Sequence, residues 1–547
     1  MRGAVAAGGA RTVQNVLDKY QKDRLAFTQV VANLALRESN MEALQTSGII
    51  SLLRPLLADT VPSIQQCAAL ALGRLANHNE EVAEAIIASK ILPQLVFSLS
   101  EQNRFYKKAA AFVVRAIAKH SPHLAKATVD AGALTALTNC LEDFDPTVKE
   151  STAWAIGYIA RHNAELAHAV QEAGAIPLLV LCIQEPELSL RRIAASALSD
   201  IAKHSPELAQ AVVDANVIPL LAPLVNTQDN KLRRQVCAAL AQIAKHTVDL
   251  AENVVEADIF PTVFTALRSP DLHVRRNAAT LICEITKHTV ELAQLVVNSG
   301  GIAAVVAYVS ESEGPAQLPA IMTLGYVAAF LETLALAVIV AKGVPALMDA
   351  LDDRHPDYIR AAAAWALGQI GRHNSEHAKV LCDAAVIPKM LHLAIATSPA
   401  AAAAAGLPSA GLSAEQSDLH TKAKRALKAI LEKTLDIAAL DPVLQLSTPP
   451  NILKHIVHQI AKVLPHNVVA RRAFVTSGGL QRIQEISHAY AKDAHGAVLA
   501  EFITAINACY PEEIIRYYSP GYTATLLNKL DDVANLAANE GPAAVVS

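Results

Sequence analysis

The chain has 547 residues, a formal net charge of −4, 52% hydrophobic residues and 4% aromatic residues. This balance excludes the strong basic excess of a nucleic-acid-binding protein, and no uncharged apolar run reaches the ~20 residues of a membrane helix. The seven cysteines include no CxxC pair, which favours free thiols in a reducing compartment, and the start lacks the pattern of a secretion signal, so we expect a soluble intracellular protein.

The histidines reveal an internal repeat. One histidine recurs at intervals of 42 residues, the next place in the series holds Phe330, and His373 follows after one extra residue. The regular members are His78, His120, His162, His204, His246 and His288. Six agreements in one column indicate a repeat array, in which each unit packs on its neighbours.

Each copy carries signals for three helices, which follow the histidine in chain order. Helix N-caps come next, at Asn79, Ser121, Asn163, Ser205, Thr247, Thr289 and Asn374. The first helix ends at residues that tolerate the left-handed conformation, at Gly48, Gly132, Gly174, Asn216, Asp258 and Gly300. A short second helix, an acidic turn and a longer third helix complete the copy. Three helices in 42 residues resemble the armadillo repeat, so we predict an all-α, right-handed armadillo-repeat solenoid of about ten copies.

The domain organisation follows from where these signals begin, weaken and end. The predicted segments are a disordered N-terminus at 1–11, armadillo repeats at 12–434, a divergent C-terminal repeat and cap at 435–530, and a tail at 531–547. Within the repeats we expect a degraded first copy, eight regular copies at 38–374 and a ninth copy with a flexible insert at 398–414. The Ala/Gly/Pro/Ser composition of that insert predicts a loop.

The histidine column raises the question of a metal site, and its spacing argues against one. The ligands of a zinc ion all lie about 2 Å from it, and side chains one repeat apart cannot converge on one point. We predict no metal and no cofactor, and we expect each imidazole to lie at a helix C-terminus and help satisfy its carbonyl groups.

A basic band is predicted along the third helices. Positions four before and seven after the column of Trp154 share one helix face, and in armadillo proteins this helix lines the concave groove. Ten of the sixteen residues in these two columns are basic: Lys108, Lys119, Arg161, Arg192, Lys203, Arg234, Lys245, Arg276, Lys287 and Arg372. A solvated face is the plainer interpretation, and the functional hypothesis is a groove that binds an acidic peptide or tail.

Repeat seven departs from its neighbours. Leu318 replaces the basic residue, Phe330 replaces the histidine and Leu331 replaces the N-cap. A rearranged core is the plainer explanation, and the functional hypothesis is an apolar contact for another subunit or a partner.

Two other functions fit the sequence poorly. Nuclear import adaptors with this fold pair a tryptophan with an asparagine four residues later. In this chain the residue four places after Trp154 is Tyr158, and the residue four places after Trp365 is Gln369. The sequence contains no GxxxxGK, HExxH or GxSxG motif. We therefore predict that the chain is not an enzyme and has no catalytic residues.

Several irregular stretches carry a more specific resemblance. They are EQNRFYKKAAAFV at 101–113, LEDFDPTVKE at 141–150, AAWALGQIGRHNSEHA at 363–378, PPNILKHIV at 449–457, ARRAFVTSGGLQ at 470–481 and CYPEEIIRYYSPGY at 509–522. Together they resemble the sperm-associated antigen 6 family, armadillo proteins of the ciliary and flagellar central apparatus, from about residue 13 to residue 530. The Ala-rich insert and the Gly/Ala-rich start depart from the family pattern.

The resemblance implies a structural scaffold of the axonemal central pair, needed for central-pair stability and flagellar motility. The implied partners are other central-apparatus proteins and the microtubule, with tubulin tails and a second copy of the chain as further candidates. We expect no binding to nucleic acid or to a membrane. The implied location is the cytoplasm, the cytoskeleton and the axoneme of a cilium or flagellum. The alternative function is a soluble cytoplasmic armadillo adaptor that binds acidic peptide segments.

Overall fold

The computed structural model describes residues 2–100, 103–398, 413–491, 496–522 and 526–530, with side chains from residue 12 onward. Within these ranges the regular structure is helical and contains no strand. The chain divides into two compact units, Met1–His288 and Thr289–Ser547. The all-α solenoid fold predicted from the repeat is confirmed.

The first unit contains nineteen α-helices among its described residues. They are α1 (Arg2–Leu34), α2 (Met41–Thr46), α3 (Ile49–Leu53), α4 (Pro62–Ala76), α5 (Glu80–Ala88), α6 (Leu92–Leu99), α7 (Arg104–Ala118), α8 (Pro122–Asp130), α9 (Ala133–Cys140), α10 (Pro146–Ala160), α11 (Ala164–Glu172), α12 (Ala175–Cys182), α13 (Leu188–Ala202), α14 (Pro206–Asp214), α15 (Ile218–Leu221), α16 (Asn230–Ala244), α17 (Val248–Glu256), α18 (Phe260–Ala266) and α19 (Leu272–Thr286). Short 3₁₀ helices lie at Glu38–Asn40, Arg54–Ala58 and Ala222–Asn226.

The second unit continues the same order of short and long helices. Its described helices are α20 (Val290–Asn298), α21 (Gly301–Glu311), α22 (Leu318–Phe330), α23 (Glu332–Val340), α24 (Gly343–Asp349), α25 (Asp357–Gly371), α26 (Ser375–Asp383), α27 (Val386–Ala396), α28 (Ala414–Leu431), α29 (Ile437–Leu440), α30 (Pro450–Val463), α31 (Val468–Thr476), α32 (Gly479–Tyr490), α33 (Gly496–Asn507) and α34 (Glu512–Tyr518). Further 3₁₀ helices lie at Gly314–Ala316, Asp441–Val443 and Leu464–His466.

The start of the chain carries one helix. Helix α1 runs from Arg2 to Leu34, over the residues for which the sequence predicts a disordered N-terminus at 1–11 and a degraded first copy from residue 12. Residue 1, the core of the expected insert (399–412) and the tail (531–547) lie outside the described residues, so these expectations stay predictions.

The predicted helix signals act where the sequence places them. The side chain of Asn163 accepts a hydrogen bond from the backbone N–H of Leu166, which leaves one fewer unpaired donor in the first turn of α11. Gly174 has φ 74° and separates α11 from α12, a backbone conformation that favours glycine. The same cap recurs in the other copies, at Asn79, Ser121, Ser205, Thr247, Thr289 and Asn374.

The third helices of the first unit form the row that builds the core. In succession α4, α7, α10, α13, α16 and α19 pack side by side, and small buried residues let their backbones approach. A Cβ placed on Gly157 of α10 would lie 3.2 Å from the Cβ of Ala197 on α13, closer than the ordinary contact distance of carbon atoms. Close packing of this kind fixes the spacing between repeats.

The histidine column closes the joints between repeats. His204 Nε2 lies 2.8 Å from the carbonyl oxygen of Ala160, at the end of the preceding third helix. The same bond occurs at His78, His120, His162, His246, His288 and His373. The expectation that imidazoles satisfy helix-end carbonyls is therefore correct in kind, but the carbonyl belongs to the previous repeat. The ring nitrogen donates this bond, because the carbonyl can only accept.

The helices are short because each repeat turns twice within 42 residues. No single helix in the described part of the chain is long and apolar enough to cross a membrane. Four pairs of consecutive helices pass that test only when both members are counted together, and each pair is bent by 73° to 87°.

Candidate functional site

The third helices of the first unit line a groove. A cavity of about 490 Å³ lies along α10, α13 and α16, with Trp154, Arg161, Arg192, Asp200 and Arg234 in its wall. We call this surface the third-helix groove. Its lining mixes bases with acids, so its charge depends on which of the bases are neutralised by neighbours in the same chain.

Aromatic rings and an arginine pack together in the groove at α7 and α10. The guanidinium of Arg115 lies 4.7 Å from the ring centre of Phe112 and 4.1 Å from that of Trp154. Trp154 is 37% exposed and meets Tyr158 edge to face at 6.4 Å. Burial lowers the pKa of Arg115, which is the expected effect of removing a charged form from water. The arrangement presents a flat aromatic face beside fixed positive charge.

Two arginines of the predicted basic band are paired within the chain. Arg192 Nε lies 2.9 Å from Asp229 Oδ1, and Arg234 Nε lies 3.0 Å from Asp271 Oδ1. Each aspartate also caps the third helix of the next repeat, since Asp229 accepts from the backbone of Leu232. The arginine side chains hold the pKa of Asp229 below its usual range and that of Asp271 at about 2. These pairs were not predicted from the sequence, although the acidic turns that supply them are visible in it.

Five further members of the band donate to their own chain. Lys119, Lys245 and Arg372 each donate to a backbone carbonyl of the preceding repeat, at Asn77, Lys203 and Ala329. Lys203 pairs with Asp200 and Lys287 pairs with Glu284, each three residues earlier on the same helix. Seven of the ten predicted bases thus have structural partners, and the groove is less positive than its sequence columns indicate.

Three members of the band remain available. Lys108, Arg161 and Arg276 are exposed, and their side chains have no hydrogen bond or ion pair with any residue that the structure describes. Arg161 lies over the ring of Tyr158 at 5.4 Å, which is a cation–π distance. These three side chains can contact a ligand without first breaking a hydrogen bond or an ion pair to a described residue.

A second basic column lies five residues before the Trp154 column and was not predicted from the sequence. Lys107 pairs with Asp143 at 2.8 Å, and Arg233 Nε donates to the carbonyl of Val225 at 3.0 Å. Arg191 makes the corresponding contact with the carbonyl of Glu185. Arg191 and Arg233 link the third helix to the end of the second helix of the same copy, and Lys107 reaches the acidic turn of the next copy, so these bases have a structural role.

Repeat seven keeps its apolar character in the structure. Leu331 stands at the N-cap position of α23 without a side-chain cap and is 46% exposed, while Leu318 and Phe330 are half-buried. On the same helix Leu336 and Val340 are also exposed, Val340 at 74%. The exposed apolar surface therefore centres on α23 and extends beyond the three predicted residues.

The C-terminal motif forms a small aromatic cluster. Tyr517 meets Tyr518 and Tyr522 edge to face at 5.0 and 6.2 Å. Tyr510 donates its hydroxyl to the carbonyl of Arg471 at 3.1 Å, and burial raises its pKa to about 12. Tyr517 is 65% exposed, so the cluster presents an aromatic ring at the surface beside α34.

The described residues show no arrangement typical of a metal centre. No group of three or more His, Cys, Asp or Glu side chains within the described ranges is placed to hold an ion. Burial raises the pKa of the thiols of Cys140 and Cys182 to about 11 and that of Cys237 to about 12. Such thiols stay protonated near neutral pH, and a protonated thiol is a poor nucleophile.

The row of third helices, the two shorter helices of each copy and the groove define an armadillo-repeat protein. The armadillo/beta-catenin-like repeat family matches residues 121–161, 163–203 and 205–245, and the HEAT repeat family matches residues 259–289. An engineered protein solved by the Northeast Structural Genomics Consortium is similar in fold, with a TM-score of 0.62 at 22% identity over 84% of this chain and 98% of its own.

Two curated relatives narrow this class. Sperm-associated antigen 6 of Homo sapiens is 64% identical over 521 residues, which cover 95% of this chain and 98% of the relative. Sperm-associated antigen 6 of Mus musculus has the same identity and coverage. The chain belongs to the sperm-associated antigen 6 family.

Proposed function

We propose that the chain is a non-enzymatic structural scaffold of the axonemal central pair, which binds central-apparatus proteins and the microtubule and is needed for central-pair stability and flagellar motility. The observation that carries the proposal is the 64% identity to human sperm-associated antigen 6 over 95% of this chain. The repeat array supports it, because stacked repeats present extended surfaces to protein partners.

Localisation tests this proposal. The full chain, tagged at its C-terminus and expressed in cells with motile cilia, should lie along the central pair, and its removal should impair beating. Diffuse signal throughout the cytoplasm, with beating unaffected by removal of the protein, would overturn the proposal. That outcome would favour the soluble adaptor for acidic peptides instead.

We further propose that the third-helix groove of the first unit holds an acidic segment of a partner, of which a tubulin tail is one example. Arg161 in the wall of the cavity provides free positive charge, and Lys108 and Arg276 add more on the flanking third helices α7 and α19. Trp154 provides an exposed aromatic face beside Arg115. Arg192 and Arg234 contribute as walls of the groove, with charge already balanced by Asp229 and Asp271. The groove therefore offers a few separated basic contacts to the partner, in place of the continuous basic band predicted from the sequence.

The groove proposal has a matched test. Reversal of the free bases in K108E/R161E/R276E should weaken binding of a glutamate-rich peptide about tenfold or more at low salt, because these charges carry the attraction. The control K22E/R54E/R268E has the same change in charge and composition at exposed positions outside the groove lining. Equal loss in both variants, or no loss in the first, would contradict the proposal.

Repeat seven and the C-terminal segment give two further proposals. We propose that α23, with Leu331, Leu336 and Val340 exposed, contacts a second copy of the chain or a partner. We also propose that residues 435–530 form a divergent repeat and cap. Asn467 caps α31 and Gly478, with φ 80°, separates it from α32, which is the pattern of the regular copies.

A further inference from the structure

A pocket in the second unit lies outside every site predicted from the sequence. It has a volume of about 300 Å³ and lies between α28 and α30, at the low end of the range for ligand sites. Its floor is apolar and its rim is basic. The floor consists of Leu427, Leu431 and Ile452, each at most 5% exposed. The rim consists of Lys424, Arg425, Lys428, His420 and His455.

The register of α28 explains why the bases gather here. His420 Nδ1 lies 3.0 Å from the carbonyl of Ala394, at the end of α27, so His420 takes the place that Arg191 and Arg233 have in the first unit. Arg425 then falls in the Trp154 column and Lys428 three residues later. That later position is glycine in α22 and α25, at Gly325 and Gly368. A long side chain in place of glycine moves positive charge onto the groove face.

The bases of the rim are poorly balanced by acids. Lys424 and Arg425 have no hydrogen bond or ion pair with any residue that the structure describes. Lys428 meets Glu432 at 3.7 Å with both side chains about half exposed, a geometry that contributes little. Asp418 is already paired with Lys422 at 2.8 Å. No acid is among the residues that line the pocket.

The neighbours of His455 give independent support. Burial lowers the pKa of His455, with the positive charges of Lys428 and Lys454 and the ring of His458 acting in the same direction and Glu432 opposing them. Burial disfavours a charge of either sign at this place. The positive charges of Lys428 and Lys454 would attract a carboxylate there, and Glu432 would repel it.

We propose that this pocket binds an acidic peptide segment of a protein partner, with one apolar side chain on the Leu427–Leu431–Ile452 floor and carboxylates at the basic rim. The apolar floor favours a peptide over nucleic acid, because its side chains are aliphatic, whereas single-stranded nucleic acids bind mainly by stacking bases on aromatic rings. The pocket shares no lining residue with the third-helix groove of the first unit, and this proposal does not depend on the proposal for that groove.

The experiment uses the full chain carrying K108E/R161E/R276E, so that the first-unit groove does not contribute. The probe is a fluorescent glutamate peptide with one central leucine, followed by anisotropy at about 50 mM salt, where screening is weak. Addition of K424E/R425E should raise the Kd about tenfold or more. The milder K424Q/R425Q should give an intermediate loss, and circular dichroism of each variant checks that the helices are retained.

Two controls separate the pocket from general charge. K379E/R472E makes the same change in charge at exposed positions on α26 and α31, away from the pocket lining, and should leave the Kd unchanged. A peptide with serine in place of the leucine should bind severalfold more weakly, because burial of a leucine side chain is worth about 1.5–3 kcal/mol when complete.

Loss confined to K424E/R425E and to the serine peptide supports the pocket. Equal loss in K379E/R472E, no effect of K424E/R425E, no binding at all, or equally tight binding of an oligodeoxythymidine of the same charge would overturn it. The loss of peptide binding from wild type to K108E/R161E/R276E reports on the first-unit groove, and the further loss on addition of K424E/R425E reports on the pocket, so the two sites are tested separately.

Discussion

Replacement of Asp271 should separate two roles of one carboxylate. Asp271 Oδ1 accepts from the backbone N–H groups of His273 and Val274 at 3.0 and 3.1 Å, which caps α19, and the same group pairs with Arg234. Asparagine keeps the capping oxygen and loses the charge, whereas alanine loses both. A partly solvated arginine–carboxylate pair contributes about 0.5–1 kcal/mol, and a lost cap costs about 1 kcal/mol more.

We therefore expect D271N to lower the free energy of unfolding of this repeat by about 0.5–1 kcal/mol and D271A by about 1.5–2 kcal/mol. The pH dependence follows from the pKa of about 2, which the Arg234 side chain holds below the ordinary value. Because the folded pKa is the lower one, the stabilisation is complete above about pH 4 and is lost as the pH falls toward 2. D271N should lack that acid-side decline.

Hydrogen exchange of α19, followed by mass spectrometry on the full chain, is the suitable assay, because repeat arrays need not unfold in one step. D229N, which breaks the corresponding pair with Arg192, serves as a matched case at α16. Equal exchange in D271N and D271A would show that the cap contributes nothing. A difference between wild type and D271N that persists unchanged to pH 2 would refute the ion pair.

Three more predictions concern single positions. H246A removes the hydrogen bond to the carbonyl of Ala202 and should lower the free energy of unfolding by about 0.5–1.5 kcal/mol. Because burial lowers the pKa of His246, the stability of the wild type should decline as the pH falls below about 6.5. Thermal melts from neutral to mildly acidic pH should show a shallower decline in the variant. Cys237, with a pKa of about 12, should resist iodoacetamide at mildly alkaline pH in the folded chain and react in urea; modification in the folded chain, seen by mass spectrometry, would contradict its burial. L331T places a capping oxygen where φ is −135° and ψ is 153°, and should raise the melting temperature by a few degrees; an unchanged or lower value would show that the leucine packs in a way that outweighs a cap.

The fold was largely predictable because its signals are local. Asn163 caps a helix that begins at the next residue, and Gly174 ends it eleven residues later, so a reader of the sequence sees both. The partner of His204 was not predictable, because Ala160 lies 44 residues earlier and no local pattern shows which helix end the imidazole reaches. Helix α1 was not predicted at the start, because the glycine pair at positions 8–9 weakens a helix locally and nothing in the sequence indicates a helix across it.

The candidate site was predictable only in part, because charge is a property of neighbours in space. Arg192 and Asp229 are 37 residues apart, and a column of bases says nothing about acids that approach from the next repeat. The pocket between α28 and α30 was missed for a different reason. Its bases, Lys424, Arg425 and Lys428, stand outside the two columns that were compared.

The imidazole bonds of the first unit determine how such an array would fail under strain. Each joint is closed from the C-terminal side, by a side chain of one repeat that reaches the backbone of the repeat before it. Loss of one of these hydrogen bonds weakens the contact between two neighbouring repeats and leaves the next contact intact, because each histidine bonds only to the repeat before it. The array should therefore unfold and refold one repeat at a time under strain, rather than unfold in a single cooperative step.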